Sequence, residues 1–216
     1  MRKSRLPTPI RYLEAIDDHL EKHFGSDLLV LHEEDSVTVH VDVHVVRPCA
    51  ARPYFTLLTS GMSDLDMHVP DGLEDYSLAE LCLCLPPSWP LGIRKTGWRK
   101  PPYLWPIMTL KRMARYPHRE KTWFGCGHTV GLADPPKTVA PGVAFTAVLL
   151  VHPPTFPPGA DTVQTPDGRT IRYLAMIPLF PREMDFRRRF GSQNLMQKLF
   201  KSGVTELLDP KRASVV

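Results

Sequence analysis

A chain of 216 residues with 43% hydrophobic content is long enough to bury one substantial core, and no shift in composition divides it into two. Its net charge of +4 comes from interspersed basic and acidic side chains, which argues against the strong single-sign field of a nucleic-acid binder. No run approaches the roughly 18 apolar residues of a membrane span, and no apolar stretch follows the basic start at 1–9. The chain therefore reads as one soluble, cytoplasmic domain over 1–216, without membrane segment or signal peptide.

Thr8-Pro9 predicts a helix opening, a capping hydroxyl followed by proline at the first helical position, and Ile10, Leu13, Ile16, Leu20 and Phe24 form one apolar face before Gly25 ends it. A short strand is expected over 28–31. After the turn Glu33-Glu34-Asp35-Ser36, Val37, Val39, Val41, Val43 and Val45 alternate strictly, the pattern of a half-buried strand. Strands follow at 54–59 and 77–85, the second almost continuously apolar and hence central in its sheet.

The Pro- and Trp-containing stretch 86–102 predicts irregular structure. A helix over 105–115 should close at Pro117, because the residue before a proline disfavours helical dihedrals. A strand interrupted by Gly125 and Gly127 is expected over 122–129, and a buried strand over 143–151. Pro166-Asp167-Gly168 then predicts a hairpin joining 162–165 to 169–179. Helices at 181–190 and 193–201 finish the chain, with Ser192 capping the second and Gly203 stopping it. Strands and helices interleave irregularly, which suits an α+β fold.

Chemistry-bearing groups are few. His40, Asp42 and His44 share the strand face opposite the valines, and two imidazoles with a carboxylate can bind a transition metal, the basis of an alternative reading as a metal-dependent or small-molecule enzyme. No fourth ligand is identifiable, and a structural or solvated sheet face is the plainer reading. Cys126 and His128 lack an orienting third group. Ser60-Gly61 lacks the glycines of a nucleophile elbow, with Leu58 and Met62 in their places. The four cysteines, Cys49, Cys82, Cys84 and Cys126, fit no metal spacing and read as reduced thiols. Arg187-Arg188-Arg189 with Lys198 and Lys201 lacks the interleaved aromatics of a base-stacking surface, so nucleic acid is not expected.

The loop between the strands at 54–59 and 77–85 is the candidate for recognition, since it is held at both ends while acidic and apolar side chains remain free. Tyr54, Asp64, Asp66, Met67 and Glu80 are its expected protein-binding residues, and its charge would steer a cationic partner.

Arg52-Pro53-Tyr54, the run 57–64, Met67, Pro70, the run 79–89, Trp105 to Leu110, Pro117-His118, Thr122-Trp123, Gly127-His128-Thr129, Pro178-Leu179, Glu183, Phe186 and Asp209-Pro210 together resemble the Suppressor of fused family. The resemblance spans about 37–210. It implies a central mixed, largely antiparallel sheet flanked by α-helices in one domain, and a non-catalytic protein-binding function without cofactors. The family's animal protein grips an extended peptide between two domains, whereas this chain has the length of the first alone. Bacterial relatives are similar to immunity proteins that neutralise a cognate toxin, which implies a toxin or a regulatory protein as partner.

Overall fold

The computed structural model describes residues 10–33, 39–91, 97–133 and 137–216. Thr8-Pro9, residues 34–36 of the expected turn, Val37 and residues 92–96 lie outside them. Helix α1 spans Leu13–Phe24, with Ile16 and Leu20 buried, and ends at Gly25, whose φ of 88° suits a residue without a Cβ. Then come strands β1 (Leu28–Leu31), β2 (Asp42–Val46), β3 (Phe55–Ser60) and β4 (Ala79–Leu85), helix α2 (Pro101–Glu120), strands β5 (Thr129–Gly131), β6 (Ala147–Val151), β7 (Thr162–Gln164) and β8 (Thr170–Leu179), and helices α3 (Pro181–Phe190) and α4 (Ser192–Lys201).

All eight strands join one sheet in the order β1-β2-β3-β4-β8-β6-β5, with β7 paired to β8 off that path. Every pairing is antiparallel except β4 with β8, where Ala79 lies opposite Arg172. The expected α+β architecture, a mixed and largely antiparallel sheet flanked by helices, is therefore present. β4 is central and buried throughout, as its continuous apolar run requires.

Alternation sends Val43, Val45, Leu57, Leu81 and Leu83 to one face of the sheet, where α2 covers them with Trp105, Leu110 and Met113. Val46, Leu58, Cys82, Ala175 and Ile177 point to the other face, under Ile16 and Leu20 of α1 and Leu195 and Leu199 of α4. Both faces are thus covered, and His40, Asp42 and His44 are buried rather than solvated.

Four expectations need correction. The valine row forms a strand only from Asp42 onward, because β3 ends at Ser60 and Gly61 turns away with a φ of 102°; Val39 and Val41 are core residues outside the ladder. At Gly61 a Cβ would stand 1.8 Å from the His40 carbonyl oxygen, so only glycine fits beneath that strand's approach. Helix α2 begins at Pro101 and passes through Pro117 to Glu120. A proline costs its own N–H bond and crowds the carbonyl four residues before it, a local cost that a helix end bears, and the Pro117 carbonyl accepts the N–H groups of Lys121 and Thr122 where the chain turns out at Lys121, with φ 51°.

Residues 122–128 are not a strand, although the Gly127 N–H donates to the Leu150 carbonyl of β6 and the His128 carbonyl accepts the Leu150 N–H. Gly127, at φ 85°, makes a turn there, and the expected strand is confined to β5. The final helix starts at Ser192 itself, and Gly191 is its cap.

Candidate functional site

The connection from β3 to β4 is tied to the fold on both sides of its tip, over residues 62–68 and again at 75–77. Beyond Gly61, a 3-10 turn over Met62–Asp64 places Ser63 against Glu80. Glu80 is fully buried; its Oε2 accepts the Thr59 hydroxyl at 2.6 Å, and its Oε1 accepts the Ser63 hydroxyl at 2.7 Å and the Ser63 N–H at 3.0 Å. Burial pushes its carboxyl up to about 7, because three donors do not replace the water lost. The side chain of Met67 is also interior, its N–H donating to the Ser77 carbonyl and its Sδ accepting the N–H of Phe124. From α2, the His118 imidazole Nε2 meets the Met62 carbonyl at 2.9 Å.

The outer side of the loop is knitted to the β7–β8 hairpin. Arg169 grips Asp66 with two hydrogen bonds of 3.0 and 2.6 Å and also donates to Ser77 Oγ. Arg172 donates to the Asp75 carbonyl and stacks on Tyr76, 4.5 Å from the ring centroid. Asp64 accepts the Arg11 N–H at 2.8 Å. Leu65, Asp71, Glu74, Asp75 and Tyr76 stay exposed. Between loop and hairpin runs a cleft of about 380 Å³ lined by Asp66, Glu74, Asp75 and Arg169. Leu78 joins it to a second of about 290 Å³ lined by Leu73, Tyr76, Trp123, Cys126, His152 and Arg172.

His40, Asp42 and His44 do not converge on a common point. Asp42 Oδ1 lies 3.0 Å from His40 Nε2 and accepts the Glu33 N–H at 2.8 Å, while Oδ2 lies 2.8 Å from His32 Nδ1. Burial alone would raise the Asp42 carboxyl, but the bonds from His32 and Glu33 outweigh it and hold the group below its ordinary range. His44 turns away, with Nε2 2.8 Å from Ser60 Oγ and Nδ1 3.5 Å from Asp17. Among the described residues no three His, Cys, Asp or Glu side chains are placed to hold a metal.

Asp17, His44 and Ser60 follow one another in the sequence of a catalytic relay, yet His44 and Ser60 have no exposed surface, so no substrate reaches the hydroxyl in this conformation. Burial also lowers the affinity of His44 for a proton, against the pull of Asp17. The Cys126 thiol is exposed, but His128 is engaged elsewhere: its Nδ1 accepts the Gly125 N–H, and its ring meets Trp123 edge-on at 4.6 Å.

The sequence model of the family described as "Suppressor of fused protein (SUFU)" matches residues 37–213. The chain belongs to the Suppressor of fused family. Among solved structures, a suppressor of fused homolog from Neisseria gonorrhoeae is 18% identical with a TM-score of 0.69, over 96% of this chain and 98% of that one. A chain of a Sufu–Fu complex is 15% identical with a TM-score of 0.67, over 96% and 93%. Drosophila Suppressor of Fused is 16% identical with a TM-score of 0.65; 97% of this chain covers 52% of that protein. At these identities the likeness establishes the fold. No curated protein sequence matches significantly.

Within this Suppressor of fused fold the expected recognition residues separate. Asp64, Asp66, Met67 and Glu80 gather at one end of β3 and β4, but Tyr54 precedes Phe55, which pairs with Leu85 at the other end, roughly 20 Å away along the strand. Met67 at 3% and Glu80 at 0% exposure support the loop from beneath instead of facing outward. The loop is also less acidic in effect than in sequence, because Arg169 neutralises Asp66. The exposed apolar side chains of this loop, Leu65 and Tyr76, are not among the expected residues; the signal for them in the sequence is a large apolar side chain amid loop carboxylates. Arg169 and Arg172 carried no local signal, since each reaches the loop from about 100 residues downstream.

Proposed function

We propose that this chain is a non-catalytic, cytoplasmic protein-binding domain of the Suppressor of fused type, acting as a bacterial immunity protein that neutralises a cognate toxin or as a regulatory binding protein. The observation that carries the reading is the rigidly anchored β3–β4 loop, which presents Leu65, Tyr76 and the carboxylates of Asp71, Glu74 and Asp75 over two adjoining clefts. Family membership and the likeness to a chain solved in a Sufu–Fu complex support a protein partner. Against a metal-dependent enzyme at His40, Asp42 and His44 stands the full engagement of Asp42 by its neighbours. Asp64 and Asp66 belong to the proposed surface as its rim, and Met67 and Glu80 as its support.

The test uses the partner recovered by affinity capture, with binding measured by surface plasmon resonance across salt. Tyr76→Ala should weaken it by about ten-fold or more, the loss of an interfacial aromatic anchor. Joint replacement of Asp71, Glu74 and Asp75 by Asn should slow association chiefly at low salt. Unchanged affinity and rates in both variants would place the interface elsewhere on the domain.

A further inference from the structure

A concavity larger than either of those clefts lies away from that loop, on the outer side of α2. It is a groove of about 890 Å³, within the range of small-molecule sites. Leu104, Met108, Lys111 and Arg115 recur at helical spacing along it, a stripe about 16 Å long at 1.5 Å per residue. The stripe changes character along its length. Its first half is apolar, with Leu104 and a Met108 that is 54% exposed facing Trp98, and its second half is cationic.

Among the described residues of that second half, Lys111, Arg112, Arg115 and Lys137 outnumber the one carboxylate, Glu33. Arg115 is paired with Glu33, whose carboxylate also accepts the Val41 N–H. Lys111 donates to the Leu31 carbonyl at 3.5 Å and feels the charges of Glu33 and Asp42, but among the described residues neither Lys111, Arg112 nor Lys137 forms a direct ion pair. Loss of water lowers the proton affinity of both Lys111 and Arg112, which an anion in the groove would reverse. An apolar trough ending in a net excess of cations among the described residues matches a ligand with a tail at one end and a negative head at the other.

We propose that the α2 groove binds an amphipathic carboxylate of the fatty-acid class, its tail along Leu104 and Met108 and its head at Lys111 and Arg112. This site is independent of the β3–β4 loop. Dodecanoate, kept below its micelle concentration, is titrated into the full chain by calorimetry and followed by tryptophan fluorescence, since Trp98 and Trp105 line the groove. Saturable one-to-one binding is expected, at least about ten-fold tighter than dodecyltrimethylammonium, whose head has the wrong sign. The Lys111→Met, Arg112→Gln double variant should weaken binding by about ten-fold or more, and Met108→Asp should do the same from the apolar end, with thermal melts confirming that both fold. Absence of saturable binding, equal binding of the cationic amphiphile, or unaltered affinity in both variants would overturn the assignment. So would binding of an acidic, apolar peptide in place of dodecanoate, which would make the groove a protein interface.

Discussion

At the scale of single residues, Glu80 carries the largest consequence. Among the described residues it pairs with no cation; it is held by two hydroxyls and one N–H, and its carboxyl is raised from 4.5 to about 7. In the unfolded chain it ionises near its ordinary value, so between about 4.5 and 7 the folded state holds the extra proton. Stability on this account is greatest below the lower value and falls as pH rises through the upper one, by about 3 kcal/mol in all. His44 and His118, both lowered by burial, act oppositely, losing stability as pH falls. A comparison of wild type with Glu80→Gln isolates the one group: urea midpoints should diverge in the variant's favour from pH 5 to pH 8. Parallel profiles would mean that Glu80 ionises as an exposed acid does.

Elements were legible where their signal was local. Strand β1 and helix α3 stand at the expected 28–31 and 181–190, and the Asp-Gly hairpin stands where its turn chemistry puts it. The end of α2 was misread because Pro117 forfeits one hydrogen bond but sits in the last turn, where the lost bond is cheaply borne and its carbonyl remains useful. The grip of the hairpin on the loop, and hence the neutralisation of Asp66, was not legible at all, since nothing near Asp66 encodes Arg169. Within α2 the two faces should respond differently to truncation. Leu110→Ala, at a position with no exposure against the sheet, should cost about 3 kcal/mol and lower the melting temperature by about 6–12 °C. Met108→Ala, on the groove side, should cost well under 1 kcal/mol. Equal losses would mean that the groove is closed by packing.

For the whole molecule, the far end of the chain is bolted into the core. Arg212 forks onto buried Glu183 at 2.6 and 2.7 Å, donates to the Pro178 carbonyl, and lies over the rings of Phe180 and Phe145. Removing one member of such a pair leaves the other buried and uncompensated, so Arg212→Ala should destabilise by about 3–5 kcal/mol in a denaturant melt. Retained stability would mean that water enters to solvate Glu183. The lone parallel pairing, β4 with β8, has a different kind of consequence. Ala79 must wait for Arg172, about 90 residues later, so at ribosomal rates of roughly 5–20 residues per second β4 stands as a raw hydrophobic edge for about 5–20 s. A nascent chain in that interval has half a sheet and an open edge on β4, the kind of edge on which unfinished chains pair with one another.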